Sequence, residues 1–128
     1  MSKKIIIIDD DIDLVEAMRL TLENAGFEVI DAQDGKNGVK KIKTENPDLV
    51  LLDVMMGSQD EGFFVAYDIR NDPDISDIPI IMLTAVGQET GFTFDKSKDE
   101  DFLPVNEFLE KPVDPDKLVE LVKKNLGF

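Results

Sequence analysis

The chain has 128 residues, which suits one domain with a hydrophobic core large enough to be stable without covalent cross-links. It contains neither cysteine nor histidine, which excludes disulfides, thiolate metal sites and imidazole general bases. Its 28 acidic residues outnumber 14 basic ones, and a net charge of −14 argues against nucleic acid or an anionic membrane as a direct partner. Only four isoleucines follow the N-terminal lysines, too few for a signal peptide or a membrane span, so we expect a soluble cytoplasmic protein.

The first predicted strand runs from Lys3 to Ile8 and has no polar alternation, which is typical of a central parallel strand. It ends on three consecutive aspartates, Asp9 to Asp11. From Asp13 the apolar residues recur at helical spacing until Gly26 supplies a stop. The pattern predicts a strand followed by a helix, with Asp11 as the helix cap.

A shorter strand, Phe27–Ala32, carries charges and is expected nearer the sheet edge. Asp34-Gly35 then forms a turn that leads into a second predicted helix, and this helix ends at Asn46-Pro47.

The stretch Leu49–Leu52 is wholly apolar and predicts a strand buried on both faces. It stops on Asp53. A charge in that position costs little only where the strand emerges to meet water, a metal or a ligand. The carboxyl ends of parallel strands are where such folds bind ligands, so we interpret Asp53 as a nucleophile.

The second half continues the alternation. A polar loop over 54–62 leads to an amphipathic helix from Phe63 to Arg70, and Ile78–Leu83 is a buried strand that ends on Thr84. Residues 87–103 show no convincing periodicity. The remaining elements are a short strand, Val105–Leu109, the tripeptide Glu110-Lys111-Pro112, and a helix capped by Pro115-Asp116 that runs through Leu126.

Strands alternating with helices predict a doubly wound α/β fold with a five-stranded parallel sheet. The chain ends just past the last helix, so we expect a single domain over residues 1–128 with no output domain.

Polar groups then follow four strand ends on one edge of the sheet: Asp9 and Asp10, Asp53, Thr84, and Lys111. Two unit charges ~4 Å apart interact by ~4 kcal/mol at an effective dielectric constant near 20, so clustered carboxylates must protonate or hold a cation. Oxygen ligands favour Mg²⁺ or Mn²⁺ over zinc. With a lysine and a hydroxyl for phosphoryl oxygens, this set predicts a phosphoryl-accepting site.

The chain resembles the receiver domain of bacterial two-component response regulators, of the CheY-like, flavodoxin-like fold. The stretches that carry the resemblance are Ile8–Asp11, Pro47–Asp53, Ile81–Ala85 and Glu110–Pro112. As an ordered set these motifs are highly specific, and the resemblance that they carry spans most of the chain.

The resemblance implies that Asp53 accepts a phosphoryl group from a phosphohistidine of a sensor kinase or a histidine phosphotransfer protein. Asp9 and Asp10 would hold Mg²⁺ together with Asp53 and the backbone carbonyl of Met55. Thr84 and Lys111 would contact the phosphoryl oxygens, and Phe108 occupies the position of the family's switch aromatic. An unidentified downstream protein would receive the signal.

Two departures from the family pattern stand out. Gly57 replaces the usual proline after Met56, and Gly62 comes one residue late, which predicts a longer loop beside the site. The segment 87–105 is several residues longer than usual and lacks the family's alanine- and glycine-rich helix end. We therefore expect the fourth helix of the family to be atypical here, and this segment to be what the partner reads.

Two other functions fit parts of the pattern. A Mg²⁺-dependent phosphohydrolase of the haloacid dehalogenase type also uses an aspartyl nucleophile, but it places a second aspartate where this chain has Met55, and there is no cap domain. A degenerate receiver acting as a phosphorylation-independent scaffold is disfavoured by the intact site residues. The expectation is therefore a phosphoacceptor that promotes only its own phosphorylation and dephosphorylation, rather than an enzyme.

Overall fold

The computed structural model describes residues 3–54, 61–85 and 105–127. The strands are β1 Lys4–Ile8, β2 Glu28–Ala32, β3 Leu49–Asp53, β4 Ile80–Ala85 and β5 Glu107–Lys111. The described helices are α1 Ile12–Asn24, α2 Gly35–Glu45, α3 Glu61–Asn71 and α4 Pro115–Asn125. All strand pairs are parallel and the sheet order is β2-β1-β3-β4-β5. The predicted doubly wound parallel sheet is confirmed, with β2 at an edge as expected.

The sheet is covered on both faces, which explains the uninterrupted apolar runs of β1 and β3. Because side chains alternate along a strand, Ile5 and Ile7 of β1 face one side, and Ile6 and Ile8 face the other. The first core contains buried residues of α1 and α4, and the second contains buried residues of α2 and α3. Within the described ranges, no helix is long and apolar enough to cross a bilayer.

Two strands begin two residues later than their apolar patterns predict. Pro79 has no N–H to donate, and β4 begins at Ile80 instead of Ile78. Asn106 precedes β5 as a connector: its N–H donates to the Ile80 carbonyl at 2.8 Å, and its Oδ1 accepts from the Ile80 N–H at 2.9 Å. β5 also ends two residues later than the predicted Leu109, so Lys111 is the last residue of the strand.

The predicted cap of α1 is confirmed, whereas the predicted cap of the last helix is not. Asp11 caps α1 and Asp34 caps α2, each accepting a backbone N–H with its side chain. The prediction that Pro115-Asp116 caps the last helix was wrong by one residue, because Asp114 accepts the Asp116 N–H at 3.1 Å. Pro115 is the first helical residue, where its missing N–H costs nothing.

Two of the sequence predictions fall outside the described residues: those on the loop after Val54 and on the segment after Ala85. The atypical fourth helix of the family and the backbone carbonyl of Met55 therefore stay predictions.

Candidate functional site

The register of the central strands places two carboxylates side by side. Ile8 of β1 pairs with Leu52 of β3, so the residues that follow them, Asp9 and Asp53, are neighbours at the carboxyl ends of these strands. Asp9 is fully buried and Asp53 is 4% exposed, whereas Asp10 is exposed to solvent. Asp9, Asp10 and Asp53 each offer a carboxylate oxygen, and these oxygens lie within 4.8 Å of one another.

Lys111 reaches this cluster from β5, two strands away. Its Nζ lies 3.2 Å from Oδ1 of Asp53 and 3.3 Å from Oδ2 of Asp9. Burial alone would lower the pKa of Lys111, but the charges of Asp53 and Asp9 outweigh it and leave the pKa raised. Lys111 is therefore a fixed cation of the site, held by two carboxylates.

The carboxylate of Asp9 is only partly satisfied. Its Oδ1 accepts the Asp11 N–H at 2.9 Å. Its Oδ2 is buried and has the Lys111 ammonium as an ionic neighbour, but accepts no well-directed hydrogen bond from the described residues. Burial, reinforced by the charge of Asp53, raises the pKa of Asp9 to about 6, although the Asp11 N–H and Lys111 oppose the shift.

These residues fit a divalent cation of the hard, oxygen-preferring kind. Three carboxylates share one small volume, and one of their buried oxygens lacks a hydrogen-bond donor among the described residues. One lysine supplies a single positive charge, which leaves the cluster net negative when all three aspartates are ionised. Carboxylate oxygens alone favour Mg²⁺ or Mn²⁺ over softer metals.

Gly62, in the first turn of α3, lies directly against the backbone of Asp53. A Cβ atom added to Gly62 would come within 2.3 Å of the Asp53 carbonyl oxygen and 2.6 Å of the Val54 Cα. The Gly62 N–H also donates to the Val54 carbonyl at 3.0 Å. Helix α3 therefore begins in contact with the residue that ends β3, an approach that only glycine allows.

Thr84 and Phe108 share a cavity beside this cluster. Leu83 pairs with Asp53 across β3 and β4, so Thr84 stands one residue beyond the position opposite Asp53. Thr84 is half-buried and lines a cavity of about 450 Å³ together with Phe108 and Lys117. Phe108 packs against the core on the α2–α3 side of the sheet.

The structure thus brings together Asp9, Asp10, Asp53 and Lys111, and places Thr84 and Phe108 along one adjoining cavity. Sequence reasoning missed the contact made by Gly62, because its partner lies in another element. The late position of this glycine in the loop was the only local signal.

Comparison with known proteins gives one consistent result. Residues 5–123 match the family model described as the response regulator receiver domain. The alkaline phosphatase synthesis transcriptional regulatory protein PhoP of Bacillus subtilis is 37% identical over 123 residues, which are 96% of this chain and 48% of PhoP. The DNA-binding dual master transcriptional regulator RpaA of Synechocystis is 36% identical, over 94% of this chain and 47% of RpaA.

Solved structures agree with these matches. A Chloroflexus aurantiacus protein assigned as a response regulator is 32% identical with a TM-score of 0.84, over 100% of both chains. The chemotaxis response regulator CheY4 of Vibrio cholerae is 26% identical with a TM-score of 0.81, over 98% of this chain and 100% of that one. The chain spans about half the length of PhoP and RpaA, so it corresponds to one part of those proteins.

Proposed function

Because this chain belongs to the response regulator receiver family, we propose that Asp53 accepts a phosphoryl group from a phosphohistidine of a sensor kinase or a histidine phosphotransfer protein. The observation that carries the proposal is the buried Asp53 carboxylate at the end of β3, 3.2 Å from the Lys111 ammonium and beside two further carboxylates. The family match does not favour the phosphohydrolase or scaffold alternatives.

In the transfer step, a carboxylate oxygen of Asp53 attacks phosphorus as the bond from phosphorus to the donor imidazole nitrogen breaks. The product is an acyl phosphate on Asp53 and a free histidine on the donor. Lys111 can then exchange its contact with the Asp53 carboxylate for the phosphoryl oxygens, since its ammonium is already held at that position.

The metal is part of the same proposal. Asp9, Asp10 and Asp53 would hold Mg²⁺, or Mn²⁺, with the backbone carbonyl of Met55 as a further ligand. When bound, the cation would neutralise charge that develops on the transferring phosphoryl group. The buried Oδ2 of Asp9, which accepts no hydrogen bond from the described residues, supports this assignment.

The switch is proposed to involve Thr84 and Phe108. Both line the same cavity, so a phosphoryl contact made by the Thr84 hydroxyl can change the space available to the Phe108 ring. The chain would act as a phosphoacceptor that promotes only its own phosphorylation and dephosphorylation, and would signal through contact with a downstream protein. We propose no direct nucleic-acid contact for this acidic domain.

The direct test replaces Asp53 by asparagine. We expect Asp53→Asn to abolish labelling by a small phosphodonor in the presence of Mg²⁺, because the amide has nearly the same shape but is a poor nucleophile. Mass spectrometry of the labelled wild type should place one base-labile phosphoryl group on Asp53.

Asp68→Asn is the matched control, since it makes the same chemical change on an exposed position of α3. Labelling of Asp53→Asn at the wild-type level would contradict the assignment. Continuous turnover of a generic phosphomonoester, in place of stoichiometric labelling, would support the phosphohydrolase.

A further inference from the structure

Helices α2 and α3 form a surface that the phosphoryl chemistry does not use. Between them lies an open groove of about 470 Å³, lined by Gly35, Lys36, Val39, Phe64, Val65, Asp68 and Asp72. Phe64 is 62% exposed, and Tyr67, one turn further along α3, is 44% exposed. Two neighbouring exposed aromatic side chains beside a groove are typical of a surface that contacts another protein.

The groove is preformed by close helix packing. A Cβ atom on Gly35 would come within 2.3 Å of a methyl carbon of Val65, so the start of α2 rests directly on α3. At the other end of α2, Lys43 forms an ion pair at 2.9 Å with Asp72, the residue that follows α3. A binding partner would therefore meet a fixed shape, which reduces the entropic cost of association.

The charge of α2 is opposite to that of the chain. This helix carries four lysines and one glutamate, whereas the whole chain has a net charge of −14. Lys43 pairs with Asp72, and Lys41 donates to the Asp31 carbonyl at 2.5 Å. Lys36 and Lys40 are exposed, one turn apart, and pair with no carboxylate among the described residues.

The stability of helix α2 does not explain why a lysine stands at position 36. It stands in the first turn of α2, where the partial positive charge of the helix N-terminus disfavours a cation. Lys36 also lines the groove beside Phe64. A lysine that the helix itself disfavours, placed next to an exposed aromatic ring, is better explained by something outside the chain.

We propose that the α2–α3 groove is a docking surface for an acidic segment of a partner protein. Its carboxylates would pair with Lys36 and Lys40, and one large apolar side chain would enter the groove against Phe64. Asp68 lines the α3 side and would repel a carboxylate there, so the partner's acidic residues lie over α2. This proposal does not depend on the identity of the phosphoacceptor.

The test uses the isotope-labelled full chain and its amide NMR spectrum. The probe is an amphipathic helical peptide with glutamates on one side and Phe and Leu one turn apart on the other. A second peptide with glutamine in place of glutamate is the matched ligand. We expect the acidic peptide to shift amide signals of residues 36–43 and 62–68, and the glutamine peptide to bind about tenfold more weakly.

Variants of the chain distinguish the contribution of charge to peptide binding from that of the apolar groove. Lys36→Glu/Lys40→Glu should weaken binding of the acidic peptide about tenfold, and Phe64→Ala should weaken both peptides. All three positions are exposed, so these variants should keep the wild-type fold. The control Lys117→Glu/Lys123→Glu makes the same charge change on exposed positions of α4 and should leave binding within about twofold.

Four outcomes would overturn the proposal. The first is that millimolar acidic peptide shifts no amide signals of α2 and α3. The second is that the shifted signals belong to other parts of the chain. The third is that the α4 control variant loses as much peptide binding as Lys36→Glu/Lys40→Glu. The fourth is a set of shifts at α2 and α3 that grows with protein concentration alone, which would identify a second copy of the chain as the occupant.

Discussion

Asp9 and Asp10 are adjacent in the chain but stand in opposite environments. Asp9 directly follows β1 and is fully buried, whereas the next residue, Asp10, is exposed to solvent. Burial of the Asp9 carboxylate, reinforced by the charge of Asp53, raises the pKa of Asp9 to about 6. Asp10 can contribute an oxygen to a cation without the cost of burial.

This difference predicts how stability depends on pH. Between the ordinary value of 3.8 and about 6, folded Asp9 binds more protons than unfolded Asp9. The free energy of unfolding of the metal-free protein should therefore fall as pH rises through this window. We expect Asp9→Asn to raise the free energy of unfolding at pH 7 by up to about 3 kcal/mol and to leave it nearly unchanged near pH 4.

Urea denaturation in the presence of a metal chelator, from pH 4 to pH 8, measures this dependence of the free energy of unfolding on pH. Asp10→Asn is the matched control: its carboxylate is exposed, so its effect on stability should be much smaller. Equal stabilisation by both substitutions at pH 7 would contradict the assignment of the desolvation cost to Asp9.

Helix α3 is fixed to the site through its first turn. Gly62→Ala would place a methyl group 2.3 Å from the Asp53 carbonyl, and because the obstacle is backbone, the helix start must move. We expect the substitution to cost about 1–3 kcal/mol in stability and to slow phosphorylation of Asp53 roughly tenfold. Denaturation and the rate of labelling by a small phosphodonor report the two effects.

Asp68→Ala, on the exposed side of the same helix, serves as the control for Gly62→Ala. If Gly62→Ala labels at the wild-type rate and has wild-type stability, the close approach of α3 to β3 is not a constraint on the site.

The cap of α4 gives a second test at this scale. Asp114→Ala removes the acceptor for the Asp116 N–H and should cost about 1 kcal/mol. Asp116→Ala removes only a favourable charge in the first turn and should cost about 0.3–0.5 kcal/mol. Thermal or urea denaturation distinguishes them, and the reverse order of the two losses would restore Asp116 as the cap.

Local patterns predict elements well but place their ends poorly. The apolar runs of β1 and β3 identify the strands, since burial on both faces leaves no room for polar residues. The start of β5 cannot be predicted from a local pattern. Asn106, which precedes the strand, is held by hydrogen bonds to Ile80, 26 residues earlier in the chain. The same applies to Gly62, whose role depends on the backbone of Asp53.

The candidate site was predictable because its residues follow strands. In a parallel sheet every strand delivers its last residue to one edge, so Asp9, Asp53 and Lys111 could be grouped from their positions alone. The unequal burial of Asp9 and Asp10, and the contact of Lys111 with both buried carboxylates, depend on geometry that a single sequence does not contain.

At the scale of the whole molecule, cation binding and folding are linked. If Mg²⁺ binds the folded cluster and not the unfolded chain, a concentration 100-fold above its Kd should add about 2.7 kcal/mol to the free energy of unfolding. The gain should be smaller at pH 5 than at pH 8, since protonation of Asp9 near pH 6 competes with the cation.

Denaturation with and without Mg²⁺ tests this linkage. Asp10→Asn should reduce the gain, and Asp68→Asn, which lies outside the cluster, should not. A gain that is the same in wild type and Asp10→Asn would remove Asp10 from the ligand set.

The order of strands in the sheet also sets an order of events at the ribosome. β1 lies between β2 and β3, so its neighbours on both sides have been synthesised once residue 53 is complete. Asp9 and Asp53 can then come together while Lys111 has yet to be translated. If these two carboxylates meet before β5 is made, only protonation or a bound cation can relieve their repulsion, and the arrival of β5 then supplies the Lys111 ammonium that contacts both.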